Sequence, residues 1–328
     1  MCIPTLDPGR WVDRLTSAIA SQTLRPDSVL VIDSSSTDGS VDRFAAIGAE
    51  ILRIPRSSFD HGGTRNLALD SADADVYLFL TQDAIPADDR AFEELVDGLL
   101  ADDRTGAAYG RQVPRPGATS RARAHRAFNY PAESARRTAT DVPELGVRAA
   151  FSSNSFAAYR RAALDDVGAF PAPVVCSEDR YVAARLLQAG WAMAYVATAR
   201  VEHSHDYRLV DDFRRYFDIG VFQVSNPWFE SYLGRPEREG RDLLRAQVNA
   251  LRQDGIRLAG VRVAARGGIS WLGFRGGRAH RWLPTAACSR WSMTPAYWEA
   301  GEPRQTANRD IRPNRGARGR EMTAGREA

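Results

Sequence analysis

The chain has 328 residues, 44% of them apolar, a formal net charge of +3, and Arg as its only basic residue apart from five His. That length accommodates one α/β domain with an appendage, and no run reaches the ~18–20 apolar residues that cross a bilayer. Cys2, Cys176 and Cys288 are an odd, widely spaced trio without a CxxC, which excludes a disulfide framework and a structural zinc site. Charge is unevenly placed: from Arg235 onward 19 Arg face 9 Asp plus Glu, a surplus near +10 that leaves the rest near −7. A basic tail of that kind suits an anionic surface or a diphosphate. No basic segment followed by an apolar stretch opens the chain, which points to the cytoplasm.

In chain order, β-branched runs alternate with amphipathic stretches, the pattern of a doubly wound, mostly parallel α/β sheet flanked by helices. Strands are predicted at Met1–Leu6, Val29–Asp33, Glu50–Ile54 and Val76–Thr81, with helices at Val12–Ser21, Ser40–Ile47 and Thr64–Ser71. Thr37 and Asp38 are available to cap the second helix, and Gly63 and Thr64 open the third. A helix at Ala91–Leu100 leads to a strand near Ala107–Gly110, and Gln112–Val147, rich in Pro, Arg and Ala, reads as an excursion over the active face. Strands return at Ala149–Tyr159 and Ala192–Val201 around a helix at Arg180–Ala189 stopped by Gly190. Helical character resumes from Leu209 and again over Arg241–Gln253, and beyond about Pro303 the composition reads as disorder. The expected division is a catalytic domain over 1–230, a helical basic and aromatic region over 231–302, and a disordered tail over 303–328.

Ligands of open α/β sheets bind at the carboxyl ends of the strands, so polar residues directly after apolar runs are the candidates. In Val31-Ile-Asp-Ser-Ser-Ser-Thr-Asp-Gly-Ser40, Asp33 can accept from a base or ribose while the helix start offers free N–H groups. In Val76-Tyr-Leu-Phe-Leu-Thr-Gln-Asp-Ala-Ile-Pro86, the strand delivers Asp83 to the sheet edge, where a carboxylate can ligate Mg²⁺ or Mn²⁺ bridging two phosphates. In Cys176-Ser-Glu-Asp-Arg-Tyr181 an acidic pair opens a helix, and either Glu178 or Asp179 can act as general base on an acceptor hydroxyl. His203 and His205 share a strand face, and one of them can complete a metal shell. Each motif also has a plain structural use as turn, cap or dipole partner.

Together these segments resemble family 2 glycosyltransferases of the GT-A fold, and within them the rhamnosyltransferases that build O-antigen-like and cell-wall glycans. The resemblance rests on Ile3-Pro-Thr-Leu-Asp-Pro-Gly9, the Asp33–Gly39 segment, Phe59-Asp-His-Gly-Gly-Thr-Arg-Asn66, Thr81-Gln-Asp-Ala84 and Tyr109-Gly-Arg-Gln112. It continues through Phe128-Asn-Tyr-Pro131, Ser152-Ser-Asn154, Glu178-Asp179, His203-Ser-His-Asp-Tyr207 and Tyr216-Phe-Asp-Ile-Gly220. It implies a metal-dependent, inverting transfer of a sugar, L-rhamnose from dTDP-L-rhamnose, onto a glycan or polyprenyl-linked glycolipid. Thr5, Asp33 and Ser34 would bind the nucleoside and Arg65 and Asn66 would lie near the base and diphosphate. Gln82, Asp83 and Arg111 would face the donor, with Asp83 on the metal, and Ser153 and Asn154 would line the sugar pocket. Asp179 would be the base, with Glu178 beside it. The usual Asp-x-Asp is reduced here to Gln82-Asp83-Ala84, which implies a weaker or His-assisted metal site.

Other readings are a family 2 transferase using a UDP-hexose, and a nucleotide-sugar-binding protein without turnover; Asp179 beside Glu178 favours an active enzyme. Nucleic-acid binding is not expected, since no recognition helix or aromatic RNA-binding motif accompanies the Arg-rich tail. From Gly255 to Trp298 the chain mixes Arg with Trp271, Phe274, Trp282, Trp291 and Trp298. That composition suits either peripheral contact with an anionic membrane at the cytoplasmic face or a helical cap packed on the sheet.

Overall fold

A computed structural model describes residues 1–235 and 237–299. In chain order the elements are β1 (Cys2–Thr5), α1 (Val12–Ala20), β2 (Leu30–Asp33), α2 (Ser40–Ala46), β3 (Glu50–Arg53), α3 (His61–Ser71), β4 (Val76–Leu80) and β5 (Ile85–Pro86). There follow α4 (Ala91–Leu100), β6 (Thr105–Val113), α5 (Ser120–Asn129), β7 (Ala135–Arg137), α6 (Val142–Leu145), β8 (Phe156–Arg160), α7 (Arg161–Val167), α8 (Glu178–Gln188) and β9 (Ala192–Glu202). The remainder is helical: α9 (Leu209–Ser225), α10 (Pro227–Leu233), α11 (Glu237–Gln253), α12 (Ala259–Arg278), α13 (Thr285–Trp291) and α14 (Ala296–Glu299). The expected disordered segment 303–328 lies outside the described residues.

Among the described residues one nine-stranded sheet runs β3-β2-β1-β4-β8-β6-β9-β5, with β7 on β9. Pairing is parallel from β3 through β4, as the alternating pattern predicts, and β8 then enters antiparallel to both β4 and β6, so the sheet is mixed. Period-two alternation sends neighbouring side chains to opposite layers. Leu30, Ile32, Tyr77 and Phe79 join a core under α3, α7 and α8, while Val31, Leu78 and Leu80 join a second core under α1 and α4. Phe217, Val221, Cys288 and Trp298 belong to the first of these cores, so the C-terminal helices share it with the sheet.

Three local expectations are corrected. The third helix begins at His61, ahead of Thr64, because the Asp60 carboxylate caps it by accepting from the amides of Gly62 (3.1 Å) and Gly63 (2.6 Å). Thr37 does not cap α2; its amide donates to Asp7, whereas Asp38 accepts from Ser40 N and from Gly9 N, tying the loop after β1 to the loop after β2. The strand expected over Ala149–Tyr159 starts only at Phe156, since Ala149 N and Phe156 N close local turns onto Gly146 O and Ser153 O. That leaves Ser153 and Asn154 on a loop at the sheet edge.

Helix α12 lies against α9 through glycines. A Cβ on Gly277 would sit 1.9 Å from Phe217 O, one on Gly273 2.3 Å from Phe213 O, and one on Gly220 2.3 Å from Phe274 O. The two backbones can therefore approach this closely only without side chains at those positions. Gly277→Ala should lower stability by roughly 1–3 kcal/mol through overpacking. Gly276→Ala, whose new methyl would meet nothing nearer than 3.6 Å, should be neutral or stabilising. Thermal melts of the two variants compare them directly, and equal melting temperatures would contradict the close contact.

Candidate active site

Asp83 follows β4 in a turn closed by Ala84 N on Thr81 O (3.0 Å). His203 and His205 follow β9, and His203 N extends the ladder by donating to Val113 O (2.9 Å). The three converge: Asp83 Oδ2 is 3.3 Å from His203 Nε2 and 3.7 Å from His205 Nε2, and the two imidazole nitrogens are 3.0 Å apart. One ligand atom from each lies within 4.8 Å of the others. At the far side of the His203 ring, Nδ1 meets Gln112 Oε1 at 2.8 Å, and Gln112 Nε2 donates to Ser153 Oγ at 2.9 Å. A carbonyl oxygen at Nδ1 selects the tautomer with its proton there, leaving the Nε2 lone pair free for a cation. Burial lowers the pKa of both imidazoles, that of His205 to about 3, and Arg126 and Arg115 push the same way, so both are neutral ligands. Burial opposes ionisation of Asp83, but its contacts with His203, His205 and Arg115 outweigh it and hold the carboxyl well below the usual range. One carboxylate and two neutral imidazoles, oriented from behind by Gln112, form a donor set that fits a divalent cation.

Arg115, absent from the sequence-based candidates, meets Asp83 Oδ2 at 3.3 Å, donates to Ser204 O (2.9 Å) and stacks on Trp11 with its Cζ 3.9 Å from the ring centroid. Beside it opens a cavity of about 610 Å³ lined by Arg10, Trp11, Arg14, Arg115 and His205 among others. Its sequence signal is positional: a cation in Pro114-Arg-Pro-Gly117, directly beyond the end of β6.

The acidic pair sits at the start of α8, where the helix dipole favours both charges. Glu178 is buried and fully engaged, 3.0 Å from Arg65 Nη1 and accepting from Asn154 Nδ2 at 3.1 Å. Burial opposes its charge, yet Arg65 and His61 prevail and lower its pKa. Asp179 has no ion-pair partner among the described residues; its oxygens accept from Asn154 N (3.3 Å) and Arg180 N (2.7 Å). Burial, then the charge of Glu178, raises its pKa to about 7, the range in which a carboxylate is an effective base at neutral pH. Asn154 Oδ1 in turn accepts from Tyr159 OH at 2.6 Å, which fixes the amide.

The remaining candidates occupy neighbouring positions. Asp33, wholly buried, accepts from Ser36 N at 3.1 Å, and the Ser34 hydroxyl beside it is buried without a hydrogen-bond partner. Gln82 accepts from Thr5 Oγ1 (2.8 Å) and Leu6 N (2.6 Å) and donates to Leu6 O (3.0 Å), stitching the end of β1 to the end of β4. The residue that replaces the first acid of Asp-x-Asp is thus a structural clasp. Asn66 is committed to Phe170, donating to its O (2.9 Å) and accepting from its N (3.0 Å). Arg65 is the buried partner of Glu178, and also donates to His61 O at 2.6 Å. Arg111 adjoins Gln112 in β6, so strand alternation turns it to the other face.

The model of the family described as Glycosyl transferase family 2 matches residues 1–168. The chain is 38% identical over 303 residues to the O-antigen chain rhamnosyltransferase RfbN of Salmonella typhimurium, covering 91% of this chain and 95% of that protein. It is equally 38% identical over 304 residues to the O-antigen chain rhamnosyltransferase WbaN of Salmonella anatum, with the same coverage. Among solved structures, the mannosyltransferase PcManGT from Pyrobaculum calidifontis, in complex with GDP-Man and Mn²⁺, superimposes with a TM-score of 0.54 at 18% identity, over 91% of this chain and 84% of that one. That structure shares the fold. On the family model and the two relatives, the chain belongs to glycosyl transferase family 2 and is a glycosyltransferase.

Proposed function

We propose that this enzyme transfers L-rhamnose from dTDP-L-rhamnose, with inversion, onto a glycan or polyprenyl-linked glycolipid during synthesis of a cell-surface polysaccharide. The observation that carries the reaction type is Asp179, a carboxylate poised near neutrality and tied through Asn154 and Ser153 to the Gln112–His203–Asp83 chain. The choice of rhamnose rests on the two relatives, both rhamnosyltransferases by name and matched over nearly their whole length. Asp179 takes the proton of an acceptor hydroxyl as that oxygen bonds to the anomeric carbon from the face opposite the diphosphate, whose bond to that carbon breaks. Asp83, His203 and His205 would hold a divalent cation, Mg²⁺ or Mn²⁺, and their mixed nitrogen and oxygen set suits Mn²⁺ better. Bound there, it would neutralise charge on the diphosphate. Thr5, Asp33 and the unpaired Ser34 hydroxyl would face the nucleoside at the ends of β1 and β2, and Ser153 and Asn154 the sugar.

The C-terminal region supports a place at a membrane surface. Among the described residues no helix is long and apolar enough to cross a membrane. Trp291 and Trp298 pack on Phe217 in the core, as a cap would, but Trp282 is 90% exposed and Trp271 60% exposed. Val261, Trp271 and Leu272 lie at helical spacing on the open side of α12, with Arg275 one turn on. Apolar side chains interleaved with Arg are the chemistry of an anionic headgroup layer, and a polyprenyl-linked acceptor at the cytoplasmic face would be met there.

Three outcomes are expected. In a calorimetric donor panel with Mn²⁺, dTDP-rhamnose should bind more tightly than UDP-glucose or GDP-mannose, and Asp83→Ala should lose the metal dependence; preference for a UDP-sugar would keep the transferase and discard rhamnose. Below pH 7 Asp179 is the neutral acid and cannot accept a proton, so kcat should rise through about pH 7 and level off above it. Asp179→Asn should retain donor binding and lose turnover by roughly 10²–10⁴-fold; a pH profile unchanged by that substitution would remove the base assignment. Vesicles containing phosphatidylglycerol should retain the protein at low salt more than phosphatidylcholine vesicles do, and a Trp271→Ser, Trp282→Ser double variant should abolish the difference; equal retention on both vesicles would count against membrane contact.

A further inference from the structure

Most cations around the site are matched to acids: Arg65 to Glu178, Arg115 to Asp83, Arg121 and Arg266 to Asp212, Arg180 to Glu239. Two are not. Arg126 on α5 and Arg215 on α9 are half-buried, and among the described residues neither guanidinium has a carboxylate or a hydrogen-bond acceptor. Each lies by an aromatic ring: the Cζ of Arg126 is 5.7 Å from the Tyr130 ring centroid, and that of Arg215 5.7 Å from the Tyr207 ring centroid. Tyr207 stacks on His205 of the metal triad with centroids 5.1 Å apart, which sets Arg215 beside the triad through one ring. Tyr130 is buried; burial raises its hydroxyl's pKa most, the charges of Arg126 and Arg215 lower it and that of Asp179 raises it. His125, one residue before Arg126, is driven well down by burial and then by Arg215, Arg126 and Arg121, so it adds no positive charge but no compensation either. Burial lowers the pKa of Arg126, whereas around Arg215 burial is outweighed by Tyr207, Tyr216 and Asp212, which favour the cation; five donors on each guanidinium, partly desolvated and without a hydrogen-bonded acceptor among the described residues, are open to an anionic ligand.

We propose that Arg126 and Arg215 form a diphosphate-binding subsite beside the metal triad. This rests on the transferase reading, and adds to it the groups that would take up the phosphate charge not met by a cation at Asp83. Two diphosphates could fill the subsite, that of the donor nucleotide and that of a lipid-linked acceptor, and the chemistry of recognition is the same for both.

The test is isothermal titration of the full chain with inorganic pyrophosphate, dTDP and farnesyl diphosphate, each with and without Mn²⁺, on wild type, Arg126→Gln, Arg215→Gln and the double variant. Pyrophosphate affinity should fall roughly ten- to hundred-fold per lost guanidinium. Thermal stability should hold or rise as like-charge crowding is relieved, whereas a merely structural role would lower it with no selective loss of diphosphate binding. Arg126→Lys and Arg215→Lys should fall between, since Lys keeps the charge and loses the fork. Loss confined to dTDP assigns the subsite to the donor, and loss confined to farnesyl diphosphate assigns it to the acceptor; both support it. Unchanged pyrophosphate affinity in the double variant overturns it and leaves the rhamnose assignment standing. A wild-type protein that binds none of the three with Mn²⁺ overturns the subsite together with the metal-assisted donor reading.

Discussion

One buried cation has two adjacent carboxylates to balance. Arg65 forms its ion pair with Glu178, at 3.0 Å, and the proton affinity of Asp179 follows from that choice. Glu178 becomes a fixed buried ion whose Oε1 is shared by Arg65 and Asn154, and removing Arg65 would strand its charge at a cost of about 3–5 kcal/mol. Asp179, one residue on, has its pKa pushed up to about 7 by its own burial and then by the charge of Glu178, which the amide of Arg180 and the charges of Arg65 and Arg180 offset only in part. The same ion pair joins α3 to α8 and holds the start of α8 against the Ser153–Asn154 loop, so position and proton affinity of the base have one origin.

From that loop a line of contacts crosses the sheet edge: Gln112 is hydrogen-bonded to Ser153 and to His203, and His203 Nε2 lies 3.3 Å from Asp83 Oδ2. Each member comes from a different strand end or loop, and each is oriented by the next, which is how a site on loops acquires the rigidity of the sheet beneath it. The bulge in β6 between Gly110 and Arg111 contributes directly. Gly110 lies where a Cβ would be 2.3 Å from the Phe156 ring, so only glycine lets β6 pass there, and Gln112 follows two residues later. Gln82 belongs to the same economy of parts: it clasps β1 to β4, while His203 and His205, beyond the end of β9, bring imidazole nitrogens within 3.3 and 3.7 Å of Asp83 Oδ2.

The C-terminal helices are bound to this body by shape. Glycines 220, 273 and 277 let α9 and α12 approach at backbone distance, and Trp291 and Trp298 fill the space beside Phe217. Once α12 is seated by its glycine side, its opposite side, with Trp271 and Leu272, can only face outward. Packing on one side of the helix and exposure of aromatic residues on the other are thus a single consequence of where its glycines fall.

The succession of strands and helices, the strand-end motifs and the family resemblance were all legible in the chain, because apolar periodicity and residues just beyond strand ends are local signals. Ser/Asp after β2, Asp83 after β4 and the acids at the start of α8 could be read as candidates on those grounds alone. What one-dimensional order could not carry was partnership: that Arg65 spends its charge on Glu178, that Asn66 is committed to Phe170, that Arg115 reaches Asp83, and that Arg126 and Arg215 remain without acids. Likewise the antiparallel entry of β8 and the late start of its strand depend on which edge of β4 is open and on turns that compete locally for the backbone. By itself the sequence determined the fold class and the reaction family; the tertiary structure decided which charges neutralise one another, because electrostatic pairing depends on distance and burial, and residues tens of positions apart acquire both only when the chain has folded.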